Sequence, residues 1–331
     1  MTVPRNSAGK LMQAVFKPDT MKFRGELYDC VFVSFYDDET GESFTTTESD
    51  AVWFNQLTNQ YREKHGIPYV DEIIALRERY GISATKMAQI LGFGTNQYRL
   101  YEEGEVPSES NGKTIRSVMN PMAFMEFVKA SRNQLSDKEF AKISAKVEEV
   151  IAGSESLNDE QWAIKRLFRT GRGKMNGFAP QSALRLKNLL LYVLETMGDS
   201  FQTKMNKVLF YIDFLSYRER GIAISGLAYQ AIAFGPVPLR WDRVFSGFDE
   251  IMPQTERVKE QEGTLLTAKA KADMRLFSAE EVALIDTVCE KLKGMSSGKV
   301  SELSHQEPAW QNHFEKPELI PFEEAFSLKL F

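Results

Sequence analysis

The chain has 331 residues, a net charge of −5 from 41 Lys+Arg against 46 Asp+Glu, and only 2 Cys and 3 His. That length accommodates two or three ordinary domains. The acidic balance gives no overall nucleic-acid footprint, and the distant Cys30 and Cys289 can build neither a disulfide framework nor a four-ligand zinc site.

No apolar run approaches the roughly 18 residues of a membrane span. The opening MTVPRNSAGK lacks a signal-peptide core. The expected setting is therefore the cytoplasm, with no membrane contact, no metal and no cofactor.

From Phe23 the stretch FRGELYDCVFVSFYDDETGESFTTTE alternates apolar and polar residues and turns at Glu39-Thr40-Gly41, which predicts strands. A helix follows from about Ser49. Val70–Tyr80 is an amphipathic helix stopped by Gly81. Ser83 caps a second helix with Met87, Ile90 and Leu91 facing inward, and after Gly92-Phe93-Gly94, Thr95 is expected to cap a third that ends at Gly104.

Two short helices joined by a Gly-containing turn form a helix-turn-helix pattern, whose second helix is placed for the major groove. Asn96 and Gln97 are the residue types that pair bidentately with adenine, and Arg99 can address guanine or phosphate. Thr95, Asn96, Gln97 and Arg99 are therefore the candidate DNA-binding residues. A charged helix, capped by Ser136 with Glu139 at capping-box spacing, follows. It serves either as a linker or as a dimerisation element that would make the chain a homodimer.

Lys165, Arg166, Arg169, Arg172, Lys174, Arg185 and Lys187 then run with no acid between Ala163 and Leu194. This is either a solvated surface or a docking face for acidic partners or phosphates. GRGKMNGF, residues 171–178, has the composition of a flexible loop. Beyond it, Met205, Val208, Leu209, Ile212 and Leu215 repeat at helical spacing. The helix leads through Gly221 and Gly226 to Gly235-Pro236-Val237-Pro238, where two prolines fix the backbone.

No motif of hydrolytic, nucleotide or metalloenzyme chemistry is present, and His65, His305 and His313 lie in none. No catalytic residue and no enzyme activity is expected. The expected organisation is mainly α with a small N-terminal β lobe (α+β). Its parts are a β lobe plus helix over 1–66, a helix-turn-helix domain over 67–130, a linker helix and basic loop over 131–178, and a mostly helical domain over 179–331.

The C-terminal residues resemble the Panacea domain of SocA-like antitoxins. The resemblance is carried by Lys204, Lys207, Val208, Leu209, Tyr211, Asp213 and Phe214; by Gly221, Ile224, Ser225 and Gly226; and by Tyr229 with Phe234–Pro238. It resumes at Leu303, Ser304, His305 and Trp310, and spans roughly Leu184 to Leu328. Ser83, Met87, Gly92, Gly94, Asn96 and Tyr101-Glu102 with Gly104 resemble the helix-turn-helix of MqsA-like antitoxins. Leu100 stands where that family places Arg, and Arg99 is turned about 100° from it. Residues 20–66 resemble the zinc lobe of the same family, with Phe35, Tyr36, Asp37 and Gly41 kept and the metal cysteines absent.

These resemblances imply an antitoxin of a type II toxin–antitoxin system, neutralising a cognate protein toxin by direct binding and repressing its operon through operator DNA. Tyr217, Arg218, Tyr229, Phe234, Trp241 and Arg243, around the proline corner, are the candidate toxin-binding residues. The Panacea residues from about Ala179 onward are expected to suffice for neutralisation. The alternatives are a stand-alone DNA-binding regulator and an adaptor that delivers a partner to a protease.

Overall fold

The computed structural model describes residues 1–153, 162–258, 261–316 and 318–331. It is mainly helical, with small sheets. The chain divides into two compact units, one of Met1–Leu57 with Ala163–Phe331 and one of Thr58–Trp162. The division differs from the one expected at 66, 130 and 178, because the N-terminal strands share a unit with the C-terminal residues. Residues 154–161 of the expected linker lie outside the described residues.

In the first unit, β1 (Gln13–Phe23) and β2 (Glu26–Tyr36) pair antiparallel along their whole length, with Phe23 opposite Glu26. The connecting Arg24-Gly25 has positive φ at both residues, as a two-residue hairpin turn requires. The turn at 37–41 expected from sequence is present as well: the Asp37 side chain accepts from the Glu39 amide at 3.0 Å, and the chain enters the short β3 (Ser43–Phe44). Strand alternation puts Phe16 and Val33 on one face and Cys30 and Phe32 on the other.

Both faces are used, which is why neither reads as purely polar. Phe16 meets Phe326 with ring centroids 5.6 Å apart, and Phe32 stacks on Trp53 at 5.2 Å. Trp53 lies on α1 (Thr47–His65), whose Gln56 side chain clamps β2 by accepting from Val31 N at 3.0 Å and donating to Val31 O at 3.1 Å.

The centre of this unit is α9 (Gln202–Arg220), buried at every position from Lys204 to Tyr217. A helix covered on all sides is a core element rather than an amphipathic one. It is flanked by α8 (Ala183–Met197), α10 (Ala279–Lys293), α11 (Ser297–Ser304) and the short α12 (Pro308–Gln311). Ser182, Ser278 and Ser296 cap the first three, each accepting from an amide three residues on. A three-stranded sheet has the order β4 (Ser200–Phe201), β8 (Gln261–Ala268), β7 (Ile251–Val258), and β5 (Tyr229–Ile232) pairs with β6 (Gly235–Pro238).

Residues 171–178 are not the flexible loop their glycines suggest. Asn176, Gly177 and Phe178 are buried, and the Asn176 amide donates to the carbonyls of Ala179 and Gly226, both at 3.2 Å. Gly177 has φ +59, and a Cβ there would sit 2.7 Å from Ala223 Cβ and 2.9 Å from the Phe322 ring. The glycine permits close packing; it does not supply mobility.

The second unit is built on α2 (Val70–Tyr80), α3 (Ala84–Leu91), α4 (Gln97–Glu102), α5 (Glu109–Val118), α6 (Pro121–Ala130) and α7 (Asp137–Ala152). Ile73, Leu76, Met87, Ile90, Ile115, Phe124, Val128 and Val147 form its core. Tyr80 stacks on Phe124 at 4.2 Å, and the buried Tyr98 hydroxyl donates to Ile73 O at 2.8 Å. The expected caps at Gly81, Ser83 and Ser136–Glu139 are all present. Thr95 is not a cap: Asn96 occupies the N-cap position, without a side-chain cap bond, and the helix begins at Gln97.

Among the described residues, no helix is long and apolar enough to cross a membrane, and no cluster of three or more His, Cys, Asp or Glu could hold a metal ion.

Candidate interaction site

Asp213 is fully buried on α9 and organises the segment that follows the helix. One carboxylate oxygen accepts from the amides of Ile224 at 2.9 Å and Ser225 at 2.7 Å. The other accepts from the Ser225 hydroxyl and from Tyr229 OH at 2.6 Å. Four donors on one buried carboxylate meet the requirement that a buried charge be hydrogen-bonded. Burial nonetheless pushes the Asp213 carboxyl above the usual carboxylate range and, with Asp213 beside it, drives the Tyr229 phenol well above its ordinary value. The network fixes where β5 begins.

Lys207, two helical turns earlier, fixes where β5 ends. It is completely buried, and its ammonium donates to the carbonyl of Phe234 at the turn between β5 and β6. Burial alone brings the Lys207 amine down to about 7. Gly235 has φ +98, and a Cβ there would lie 2.8 Å from Lys207 Cε, 2.8 Å from Ser304 Oγ and 3.0 Å from Lys207 Nζ. Only glycine lets the turn lie this close to both side chains.

On the far side of the turn, Trp310 Nε1 donates to Ile232 O at 2.8 Å. The Trp310 ring packs with His305 at 4.4 Å and with Phe314 at 4.5 Å between centroids. His305, Trp310 and Phe314 are all half-buried, and Phe234 itself is 67% exposed. Burial and the neighbouring Lys207 push the His305 imidazole below its ordinary value, against a rise from the Phe234 main chain. The result is a rigid turn presenting one large apolar side chain beside an aromatic stack.

Fixed backbone and an exposed aromatic are what an interaction anchor needs, because little conformational freedom is lost on binding. The two sequence blocks singled out for their spacing, Phe234–Pro238 and Leu303–Trp310, meet at this platform. Lys207, His305 and Trp310 were visible as motif residues, but nothing in linear spacing says that they converge.

The six candidate anchors divide. Tyr217 and Tyr229 are core residues, packed on Phe322 at 5.3 and 6.2 Å. Arg218 is largely buried and donates to the main-chain oxygen of Phe331 at 2.8 Å. These three form the scaffold and expose no contact surface. Phe234, Trp241 and Arg243 reach the surface. Trp241 and Arg243 follow the Pro238 end of β6, and Phe234 precedes its Gly235 end. Four strand residues separate the ends by roughly 13 Å.

Four of the seven residues of the basic run are engaged within the chain. Arg172 donates to Phe178 O, Lys174 pairs with Glu323 at 2.5 Å, Arg185 with Glu281 at 2.9 Å and Lys187 with Glu250 at 2.6 Å. The absence of acids within the run is answered by acids from elsewhere in the chain.

At the start of α4, Thr95 and Asn96 before the helix and Arg99 on it are exposed and Gln97 is half-buried, so the four candidate DNA-binding residues do reach solvent. Their surroundings are acidic: Gln97 donates to Glu105 at 3.0 Å, and Arg99 lies 3.9 Å from Glu103.

Neither the comparison with curated proteins nor that with solved structures gave a match. Residues 205–311, roughly a third of the chain, match the family model described as Antitoxin SocA-like, Panacea domain, which connects the segment carrying the Phe234 platform with toxin–antitoxin systems.

Proposed function

We propose that this chain is the antitoxin of a type II toxin–antitoxin pair and neutralises a protein toxin by direct contact at the Phe234 platform. The observation that carries this reading is the convergence of the two Panacea motif blocks on one preordered, partly exposed aromatic surface. A stable complex buries about 1,600 Å² in total, with most of the energy in a few aromatic or Arg anchors. Phe234 is the central anchor, and Trp310 and Phe314 flank it. The protein acts without catalysis, in the cytoplasm, and the toxin is the product of a neighbouring gene.

The test is Phe234→Ala. An exposed side chain contributes little to folding, so stability should stay within about 0.5 kcal/mol of wild type. Loss of a central anchor should weaken toxin binding by about 2 kcal/mol or more and abolish growth protection on co-expression with the toxin. A Phe234→Ala chain that binds and protects like wild type would remove the platform from the mechanism.

We further propose that α3 and α4 serve operon repression, because Thr95, Asn96 and Arg99 are free of the core. Their acidic neighbours favour a contact with few phosphates, and hence a shallow salt dependence.

A further inference from the structure

Lys207 is a buried cation in direct contact with the turn that carries Phe234. Its ammonium reaches through the core to the Phe234 carbonyl, and no ion pair joins it to a carboxylate among the described residues. The charged and titratable groups on α9 and on the elements packed against it come from three parts of the chain. On α9 these are Lys204, held by the carbonyls of Lys293 and Met295, together with Tyr211 and Asp213. From α10 comes Cys289, whose thiol burial pushes up to about 12. After α11 come His305 and the buried Glu307, which accepts from Tyr211 OH at 3.2 Å and from the amides of Lys329 and Leu330. Glu307 is thus committed to other donors, and β6, with sequence GPVP, brings no charge.

We propose that Lys207 is the positioning residue of the recognition platform: protonated, it holds the Phe234 turn in its partner-ready geometry, and loss of that proton lets the turn relax. The proposal rests on the antitoxin reading for its partner, and on geometry for its mechanism. A charge-assisted hydrogen bond is roughly twice as strong as a neutral one. The bond in question ends on the carbonyl of the residue that carries the anchor, and Gly235 packs directly against the Lys207 Cε and Nζ atoms.

Burial brings the amine down to about 7. Burial and Lys207 hold His305 below its ordinary value, and the comparison with Lys207→Met isolates the lysine between pH 6.5 and 8.5.

The first arm of the test needs no partner. In the full chain, the Lys207 side-chain carbon signal is followed by NMR from pH 6 to 11, together with the Phe234 and Gly235 amides and the Trp310 indole. The expected result is a lysine midpoint near 7 with the turn signals moving at the same midpoint, and turn signals indifferent to pH in Lys207→Met. A lysine titrating in the ordinary range near 10.5, or turn signals that ignore its titration, would overturn the proposal.

The second arm measures binding of the purified product of the neighbouring gene. Affinity should fall about tenfold from pH 6.5 to 8.5, the size expected when a charge-assisted bond becomes an ordinary one. In Lys207→Met it should be weak and flat. If the neighbouring product fails to bind wild type at any pH, the antitoxin reading fails, while the first arm still decides the role of Lys207.

Discussion

Replacing Asp213 by Ala removes the carboxylate that accepts from three buried donors: the amides of Ile224 and Ser225 and the hydroxyl of Tyr229. All three residues are at most 2% exposed, so water cannot substitute. Each stranded donor costs about 1–3 kcal/mol, which gives a loss of roughly 3–9 kcal/mol. That is comparable with the whole stability of an ordinary domain, about 5–15 kcal/mol. Asp213→Asn keeps one acceptor oxygen for the two amides and lets the hydroxyls turn to accept, so it should cost less, about 1–3 kcal/mol.

The assay is urea unfolding followed by circular dichroism and Trp fluorescence, comparing midpoints at equal m-value. The pH dependence gives a separate reading. A carboxyl whose folded value is raised binds its proton more tightly folded than unfolded. Its contribution is therefore fully present below the ordinary carboxylate range and is lost as pH rises through the shifted value. Wild type should show that decline, and Asp213→Asn should not. An Asp213→Ala chain within about 1 kcal/mol of wild type would refute the argument that this carboxylate fixes the start of β5.

Three further outcomes follow from the same geometry. Residues 179–331 expressed alone should be poorly soluble and fail to protect against the toxin, because Phe16, Asn55 and Gln56 complete the same compact unit; a soluble, protective fragment would show the N-terminal strands to be dispensable. Gly177→Ala should lower stability by about 1–3 kcal/mol through overpacking and left-handed strain, read as a shift in the urea midpoint, whereas an unchanged midpoint would mean that Phe322 moves aside freely. Asn96→Ala should cost about 1–3 kcal/mol at one base position in a gel-shift titration on DNA upstream of the gene, and absence of any wild-type shift at micromolar protein and low salt would remove DNA from the function.

Helices and caps were legible because they are local. Gly81, Ser83 and the Ser136–Glu139 box act on amides within four residues, so their signals lie side by side in the chain. The long hairpin of β1 and β2 was only half legible, since the alternation over β2 was plain while the Arg24-Gly25 turn lacks the usual Asn-Gly or Asp-Gly signature.

The site was legible as a set of residues but not as a place. Tyr229 and Phe234 are both aromatic, five positions apart, and composition alone treats them alike. The structure buries Tyr229 because its hydroxyl finds Asp213 from the preceding helix, and exposes Phe234 because it occupies the turn where the strand face ends. Lys207 reads as one more helical lysine until Gly235, Ser304 and His305 arrive around it from as many as 98 residues away in the chain. Short-range hydrogen bonding and side-chain periodicity are written in neighbouring residues, so the sequence determined the elements. Burial is a property of what packs over a residue after the chain has closed on itself, so only the tertiary structure decided which of those residues are scaffold and which face a partner.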